Sequence, residues 1–162
     1  MEGTAFRSGT PYTDKGSAVL VVSCSSNSFF PYLREFVERN LALVEGTYDL
    51  LLVPGGPQFL LLTDYLPKFA WVGRKWITFL VERHGLKRIV VVSHDGCAWY
   101  QEERLIPAFV LKFGHNSMSH AGRQKRDLVE VVSSLRELLP ATSVEAWFAE
   151  KGADGFLSFS RQ

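Results

Sequence analysis

The sequence lacks most of the features that would place it at once in a functional class. Only two of its 162 residues are cysteine, which excludes a disulfide-rich scaffold. The formal net charge is +1 and 22% of the residues are charged, so there is no general attraction to nucleic acid or to an anionic membrane. No apolar run approaches the roughly 20 residues of a membrane helix. Partners must therefore be inferred from local sites.

The first 17 residues, MEGTAFRSGTPYTDKGS, contain no apolar segment of the kind that a signal peptide needs. We expect residues 1–17 to be a flexible lead-in, residues 18–162 to form a single domain, and the protein to be cytoplasmic. A cytosolic setting disfavours a disulfide between Cys24 and Cys97. Two buried, reduced cysteines are one interpretation of this pair.

Three short apolar runs predict strands: SAVLVVS at residues 17–23, YDLLLV at 48–53 and RIVVVS at 88–93. None of them alternates polar with apolar residues. Continuous apolar runs are typical of parallel strands that are covered by helices on both faces. The runs therefore favour an α/β protein.

Apolar residues at helical spacing predict helices over residues 29–44, 69–80 and 128–139. The tail predicts a fourth strand over 144–149 and a short hairpin strand that ends at Phe159. We predict a three-layer α/β fold with helices on both faces of the sheet. The sheet is mainly parallel and four-stranded, of order 2-1-3-4, with a short C-terminal hairpin strand.

The stretch VVVSHDGC at residues 90–97 ends a predicted strand at a histidine and places a cysteine three residues later. In the predicted order the first and third strands are neighbours, and ligands bind at the carboxyl ends of such strands. Cys24, which ends the first strand, is therefore expected at the level of His94 and Cys97. Two cysteines and one histidine suit tetrahedral Zn²⁺, with the fourth position open to water or substrate. We predict one zinc ion per chain.

These motifs resemble those of the β-class carbonic anhydrases. That family carries C-S-D-S-R after its first strand and G-H-x-x-C-G after its third; the corresponding stretches here are CSSNS at residues 24–28 and SHDGCA at 93–98. The resemblance spans roughly residues 19–139. It implies that Cys24, His94 and Cys97 hold zinc, that zinc-bound hydroxide attacks carbon dioxide or a similar small electrophile, and that the protein is a homodimer.

Ser26 and Ser28 occupy the positions of the family's aspartate and arginine. In the family this pair orients the zinc-bound hydroxide, whereas a serine hydroxyl carries no charge at neutral pH. Two functions therefore stay open: a zinc lyase or hydrolase, and a non-catalytic protein that binds zinc or an anion. A metal-free thiol enzyme using Cys97 with His94 is disfavoured, because their spacing does not align nucleophile and base.

Ser26, Ser28, Gly55 and Gly56 are the pocket candidates, and a small molecule or an anion is the expected ligand. The PGGP segment at residues 54–57 can present backbone amides to an anion, and it can equally be a tight turn that needs unusual backbone angles.

Asp95 is either a site carboxylate or the cap of a helix over residues 98–104. His115 and His120 are candidates for a loop that folds over the cleft. Each of these residues also has an ordinary structural interpretation.

Arg123, Lys125 and Arg126 form a basic cluster ahead of an amphipathic helix. We interpret it as a solvated helix face and not as a nucleic-acid site. The four tryptophans are expected in the core or at an oligomer contact.

Overall fold

The structure, a computed structural model, describes residues 6–13, 16–63, 66–102 and 119–162. Five strands form one sheet: β1 (Val19–Cys24), β2 (Tyr48–Val53), β3 (Arg88–His94), β4 (Ser143–Lys151) and β5 (Leu157–Arg161). The described part contains the α-helices α1 (Phe30–Arg39), α2 (Pro67–His84) and α3 (His120–Leu138), and 3₁₀ helices at Gly56–Leu61 and Ala98–Gln101. None of the described helices combines the length and the apolar character needed to cross a bilayer.

The strand order is β2-β1-β3-β4-β5, with β1 to β4 parallel and β5 antiparallel to β4. The predicted order 2-1-3-4 and the C-terminal hairpin strand are thereby confirmed. The chain passes from β2 over β1 to β3, so the strand order reverses between β1 and β3. Ligands bind at such a reversal, outside the carboxyl ends of the strands.

Helices cover both faces of the sheet, as the apolar strands predict. Trp147 and Phe148 are consecutive residues of β4 and point to opposite faces. Trp147 packs edge-on against Phe36 of α1, with ring centroids 5.1 Å apart. The Lys125 ammonium of α3 lies 5.1 Å from the centroid of the Phe148 ring. Helices α1 and α3 therefore lie on opposite sides, and all six residues of β1 between them are buried.

Helix α1 is shorter than its apolar periodicity predicts. It ends at Arg39 with Asn40 as its C-cap, whereas the sequence pattern continues to Val44. Ala42 has a φ of +54°, which breaks the helix, and Val44 is exposed. Leu41 packs against the core from the following loop, so it contributes to the apolar pattern without being helical.

The tryptophans divide between the core and the surface. Trp147 packs as expected, whereas Trp71 and Trp76 of α2 are exposed. They form an aromatic face of that helix together with Phe79.

Helix α2 packs closely on the 3₁₀ helix through Gly73. A Cβ atom added to Gly73 would lie 2.0 Å from Cε2 of Phe59. Phe59 is itself 2% exposed, so its ring has no free space to move into. Gly73 is therefore required for the close approach of these two elements, although it lies inside a helix.

We predict that Gly73→Ala destabilises the protein by about 1–3 kcal/mol, because the added methyl group overpacks the interface with Phe59. The direction is informative, since alanine in place of glycine inside a helix otherwise stabilises by about 0.5–1 kcal/mol. Urea denaturation measures the change, with the exposed Lys75→Ala of the same helix as the control. A Gly73→Ala protein as stable as the wild type, or more stable, would contradict this packing.

Candidate metal centre

Two neighbouring strands and one loop bring three metal-binding side chains together. Cys24 is the last residue of β1, His94 is the last residue of β3, and Cys97 is the N-cap of the 3₁₀ helix that follows. All three are buried, and their ligand atoms lie within 4.8 Å of one another. The two motifs identified in the sequence therefore meet in space.

The imidazole of His94 is held in one orientation. Its Nδ1 lies 2.8 Å from the backbone carbonyl oxygen of Asp95, which accepts the ring proton. Nε2 is buried and has no hydrogen-bond partner at normal distance in the described residues. Phe29 stacks on the ring at 4.2 Å. A histidine whose other nitrogen bonds a carbonyl is typical of metal ligands.

The two cysteine side chains contact each other. Cys24 Sγ and Cys97 Sγ lie 3.8 Å apart and both thiols are free. A hydrogen bond from the Cys97 thiol, with smaller contributions from His94 and from the backbone amides of Ser26 and Gly55, lowers the pKa of Cys24 to about 4 against the opposing effect of burial. The same hydrogen bond, together with burial, raises the pKa of Cys97. The hydrogen bond thus shifts the pKa values of the two thiols in opposite directions.

This donor set fits zinc. A tetrahedral Zn²⁺ with Zn–S distances of about 2.3 Å places two sulfur ligands about 3.8 Å apart, which is the Cys24–Cys97 separation. The unpartnered Nε2 of His94 completes a set of two sulfur atoms and one nitrogen atom. Within the described residues this group of His, Cys, Asp or Glu has three members. Three ligands are the number found at open, catalytic zinc sites.

The three side chains line a cavity of about 580 Å³. Ser26, Ser28 and Gly55 also line it, together with the charged residues Asp95, Glu102 and Lys151. Phe29, Trp99 and Leu157 supply apolar surface. Gly56, the remaining pocket candidate, is not in the lining; it lies beside Cys24, where an added Cβ would be 3.3 Å from the backbone nitrogen of Cys24.

Gly55 is required both by its backbone angles and by its surroundings. It has a φ of +83°, and an added Cβ would lie 1.8 Å from Nε2 of Gln58 and 2.5 Å from the ring of Trp99. Its amide is also directed at the Cys24 sulfur. The two interpretations of the PGGP segment are therefore compatible, since a tight glycine turn brings a backbone amide to a candidate ligand.

The fold of the chain is similar to those of solved structures, although comparison of its sequence alone finds no match. The chain matches no family model and no curated protein sequence. Its fold is similar to those of a carbonic anhydrase from Streptococcus mutans (TM-score 0.58, 16% identity) and β-carbonic anhydrase isoform I from Trichomonas vaginalis (TM-score 0.56, 15% identity). A carbonic anhydrase from Glaciozyma antarctica gives a TM-score of 0.55 at 17% identity. Each match covers 93% of this chain and 86–87% of the other.

The chain has the β-carbonic anhydrase fold. The resemblance inferred from the two motifs is confirmed at the level of the fold. The segments Cys24–Ser28 and Ser93–Ala98 lie at adjacent strand ends of that fold.

Ser26 and Ser28 distinguish this chain from the C-S-D-S-R pattern of that family. Their Oγ atoms are hydrogen-bonded to each other at 2.9 Å. The pair is neutral, so it supplies hydrogen bonds to the cavity but no fixed charge. The acid and the arginine that define the motif are replaced by two hydroxyl groups in contact.

The structure places Asp95 beside the candidate metal centre and His120 at the start of α3. Asp95 lines the cavity, but the prediction that it caps a helix is wrong: its Oδ1 accepts from the Gly96 amide, and the 3₁₀ helix begins after Cys97. His120 is the exposed first residue of α3. His115 lies outside the described residues.

The basic cluster is not the solvated face that its sequence suggests. Arg123 is buried, with its guanidinium 5.4 Å from the centroid of the Tyr100 ring. Gln124 and Asp127 are also buried and contact the loop after β3. Gln124 lies four residues before Leu128, and Asp127 lies four residues before Val131. They therefore continue the apolar stripe of α3 towards its N-terminus, and this spacing is the sequence signal that would have indicated burial.

Asp127 is expected to make stability depend on pH. Burial raises its pKa from 3.8 to about 6 in the folded protein. The unfolded chain therefore releases this proton at lower pH than the folded chain does, and stability from this group is lost as the pH rises from about 4 to about 6.

We predict that Asp127→Asn removes this dependence while keeping an oxygen acceptor for the Tyr100 hydroxyl. The difference in unfolding free energy, wild type minus variant, should fall by about 2–3 kcal/mol between pH 4 and pH 7. Urea denaturation of both zinc-free proteins at the two pH values measures it. Parallel pH profiles would show that Asp127 does not titrate in this window.

Proposed function

We propose that the protein binds one zinc ion through Cys24, His94 and Cys97 and hydrates carbon dioxide or a similar small electrophile there. The observation that carries the proposal is the buried three-donor group at adjacent strand ends, open to a cavity. Similarity in fold to carbonic anhydrases supports it. An open zinc site lowers the pKa of bound water to about 7 and so supplies a nucleophile at neutral pH.

In this proposal, each of the residues around the site has a different role. The Cys97 thiol loses its proton on metal binding, since thiolates are the ligating form. The Asp95 carbonyl keeps Nε2 of His94 available to the metal. Phe29, Trp99 and Leu157 form a wall that suits an uncharged electrophile. Lys151 is the cation among the described residues of the cavity lining and can pair with an anionic product, while the Asp95 and Glu102 carboxylates in the same lining oppose the build-up of negative charge.

A second function, zinc or anion binding without turnover, is favoured by the serine pair. Ser26 and Ser28 are hydrogen-bonded to each other and carry no charge, so they lack the charged pair that orients the nucleophile in the family that the chain resembles. Poor orientation of a nucleophile can cost about a hundredfold in rate. Hydration and non-catalytic zinc binding thus differ in whether a nucleophile is correctly oriented, because they use the same metal ligands.

A homodimer is a further part of the proposal. The exposed aromatic side chains Trp71, Trp76 and Phe79 on α2 support it, because aromatic residues are enriched at protein interfaces.

We predict that the purified wild-type protein contains about one zinc ion per chain and that Cys24→Ala contains less than about a tenth of that. Removing one of three ligands leaves a histidine and a single thiolate. Elemental analysis of protein from zinc-supplemented cells measures the content. Val22→Ala, a buried residue of the same strand without a donor atom, is the control and should keep its zinc. Zinc-free wild-type protein would overturn both zinc-dependent hydration and non-catalytic zinc binding, and would leave only anion binding without a metal.

We predict that Ser26→Asp combined with Ser28→Arg raises the rate of carbon dioxide hydration by about a hundredfold, because a charged pair again orients the nucleophile. Stopped-flow measurement with a pH indicator gives the rate. The matched control is Ser26→Asn with Ser28→Gln, which adds similar volume without charge. If the wild type is no faster than Cys24→Ala and the charged pair adds nothing, the protein is a binding protein.

A further inference from the structure

Helix α3 buries three polar side chains beside the candidate metal centre. Arg123, Gln124 and Asp127 are 5%, 1% and 4% exposed. Burying such groups is unfavourable unless they are hydrogen-bonded. Their partners lie in the segment that carries two of the three metal-binding side chains.

The contacts enclose that segment from both ends. Nε2 of Gln124 donates to the backbone carbonyl of His94 at 3.0 Å. At the other end, Arg123 Nη2 donates to the carbonyl of Tyr100 at 3.3 Å, and the Tyr100 hydroxyl donates to Asp127 at 2.8 Å. Cys97 lies between these anchored positions. The helix therefore holds the H-x-x-C loop from both sides, at His94 and at Tyr100.

Gln124 contacts the peptide group that directly follows the candidate ligand His94. The carbonyl oxygen of the His94–Asp95 peptide accepts from Gln124, and its amide donates to the carbonyl of Ala149 at 2.8 Å. Both hydrogen-bonding groups of this peptide, its carbonyl and its amide, are thus held in place. The next carbonyl, that of Asp95, accepts the proton of the His94 ring. A rotation of the plane would move the group that orients the imidazole.

We infer that Gln124 is a positioning residue for the metal centre, acting on His94 through the His94–Asp95 peptide. This inference rests on the proposed zinc binding by Cys24, His94 and Cys97. Partners of this kind around metal ligands affect affinity by about 10–100-fold. Loss of the Gln124 donor leaves a buried carbonyl without its side-chain partner and removes one of the two restraints on the plane.

The test compares Gln124→Met with Arg136→Met in the full-length protein. Methionine keeps the length of glutamine but cannot donate a hydrogen bond. Arg136 is the matched control, because it also donates from α3 to a strand carbonyl, that of Val144 at 3.3 Å, but does so away from the metal centre. Competition with a chromophoric chelator measures the zinc dissociation constant, and Co²⁺ substitution reports ligand geometry through its absorption spectrum.

Gln124→Met should weaken zinc binding by about 10–100-fold and alter the Co²⁺ spectrum, whereas Arg136→Met should stay within about twofold of the wild type. Thermal unfolding of the zinc-free proteins separates this effect from a general loss of stability. If Gln124→Met does not fold, Gln124→Asn takes its place, since it keeps the amide but is too short to reach the carbonyl.

Equal zinc affinity and an unchanged Co²⁺ spectrum in the Gln124 variant would overturn the inference and leave the proposed function intact. A weakened Gln124 variant of a protein that shows no hydration supports the inference and overturns only the catalytic part of the proposed function. A wild type without zinc affinity overturns both.

Discussion

The hydrogen-bonded ladder between β1 and β3 ends at Val22 and Val91, before either strand reaches its last residue. Ser23 bridges the next step by donating its hydroxyl to the carbonyl of Val92 at 2.9 Å. Beyond that point the two strands no longer pair with each other, and Cys24, His94 and Cys97 occupy the space between them. The position at which this pairing stops determines where the cavity opens and where the three donor side chains lie. The reversal of strand order at β1 and β3 explains why helices do not cover the opening.

Electrostatics at the site are dominated by the sulfur pair. Two buried thiols in contact cannot both ionise easily without a cation, and their hydrogen bond lowers the pKa of Cys24 while it raises that of Cys97. Backbone amides point at both sulfur atoms, from Ser26 and Gly55 for Cys24 and from Trp99 and Tyr100 for Cys97. Such amides stabilise negative sulfur in the absence of metal. The surrounding protein is therefore arranged for thiolates, while the adjacent serine pair is neutral.

That contrast bears on the two proposed functions. The groups that would hold a metal are present and oriented, whereas the positions where the resembling family has an acid and an arginine carry hydroxyl groups that bind each other. A metal position can persist without an orienting charge, because ligation depends on donor atoms and not on the neighbouring field. Turnover depends on both. Metal ligation and turnover are therefore two separate properties of this site, because they depend on different residues.

The fold and the three donors were predictable from the sequence because they depend on local patterns. Continuous apolar runs indicate buried parallel strands, helical spacing indicates crossovers, and short right-handed connections restrict the strand order. Together these place Cys24, His94 and Cys97 at adjacent strand ends. The end of α1 at Arg39 was not predictable, since Leu41 continues the apolar spacing from a loop.

Only the tertiary structure decided how the donors are held. Arg123, Gln124 and Asp127 look like a polar helix face, and their burial depends on which surface of α3 packs against the loop after β3. The orientation of His94 depends on a carbonyl one residue away, and the interaction between the thiols depends on a sulfur–sulfur distance of 3.8 Å between the ends of neighbouring strands. Sequence periodicity reports which residues are apolar. It does not report which distant carbonyl a buried polar side chain will meet, because that contact exists only once the layers are packed.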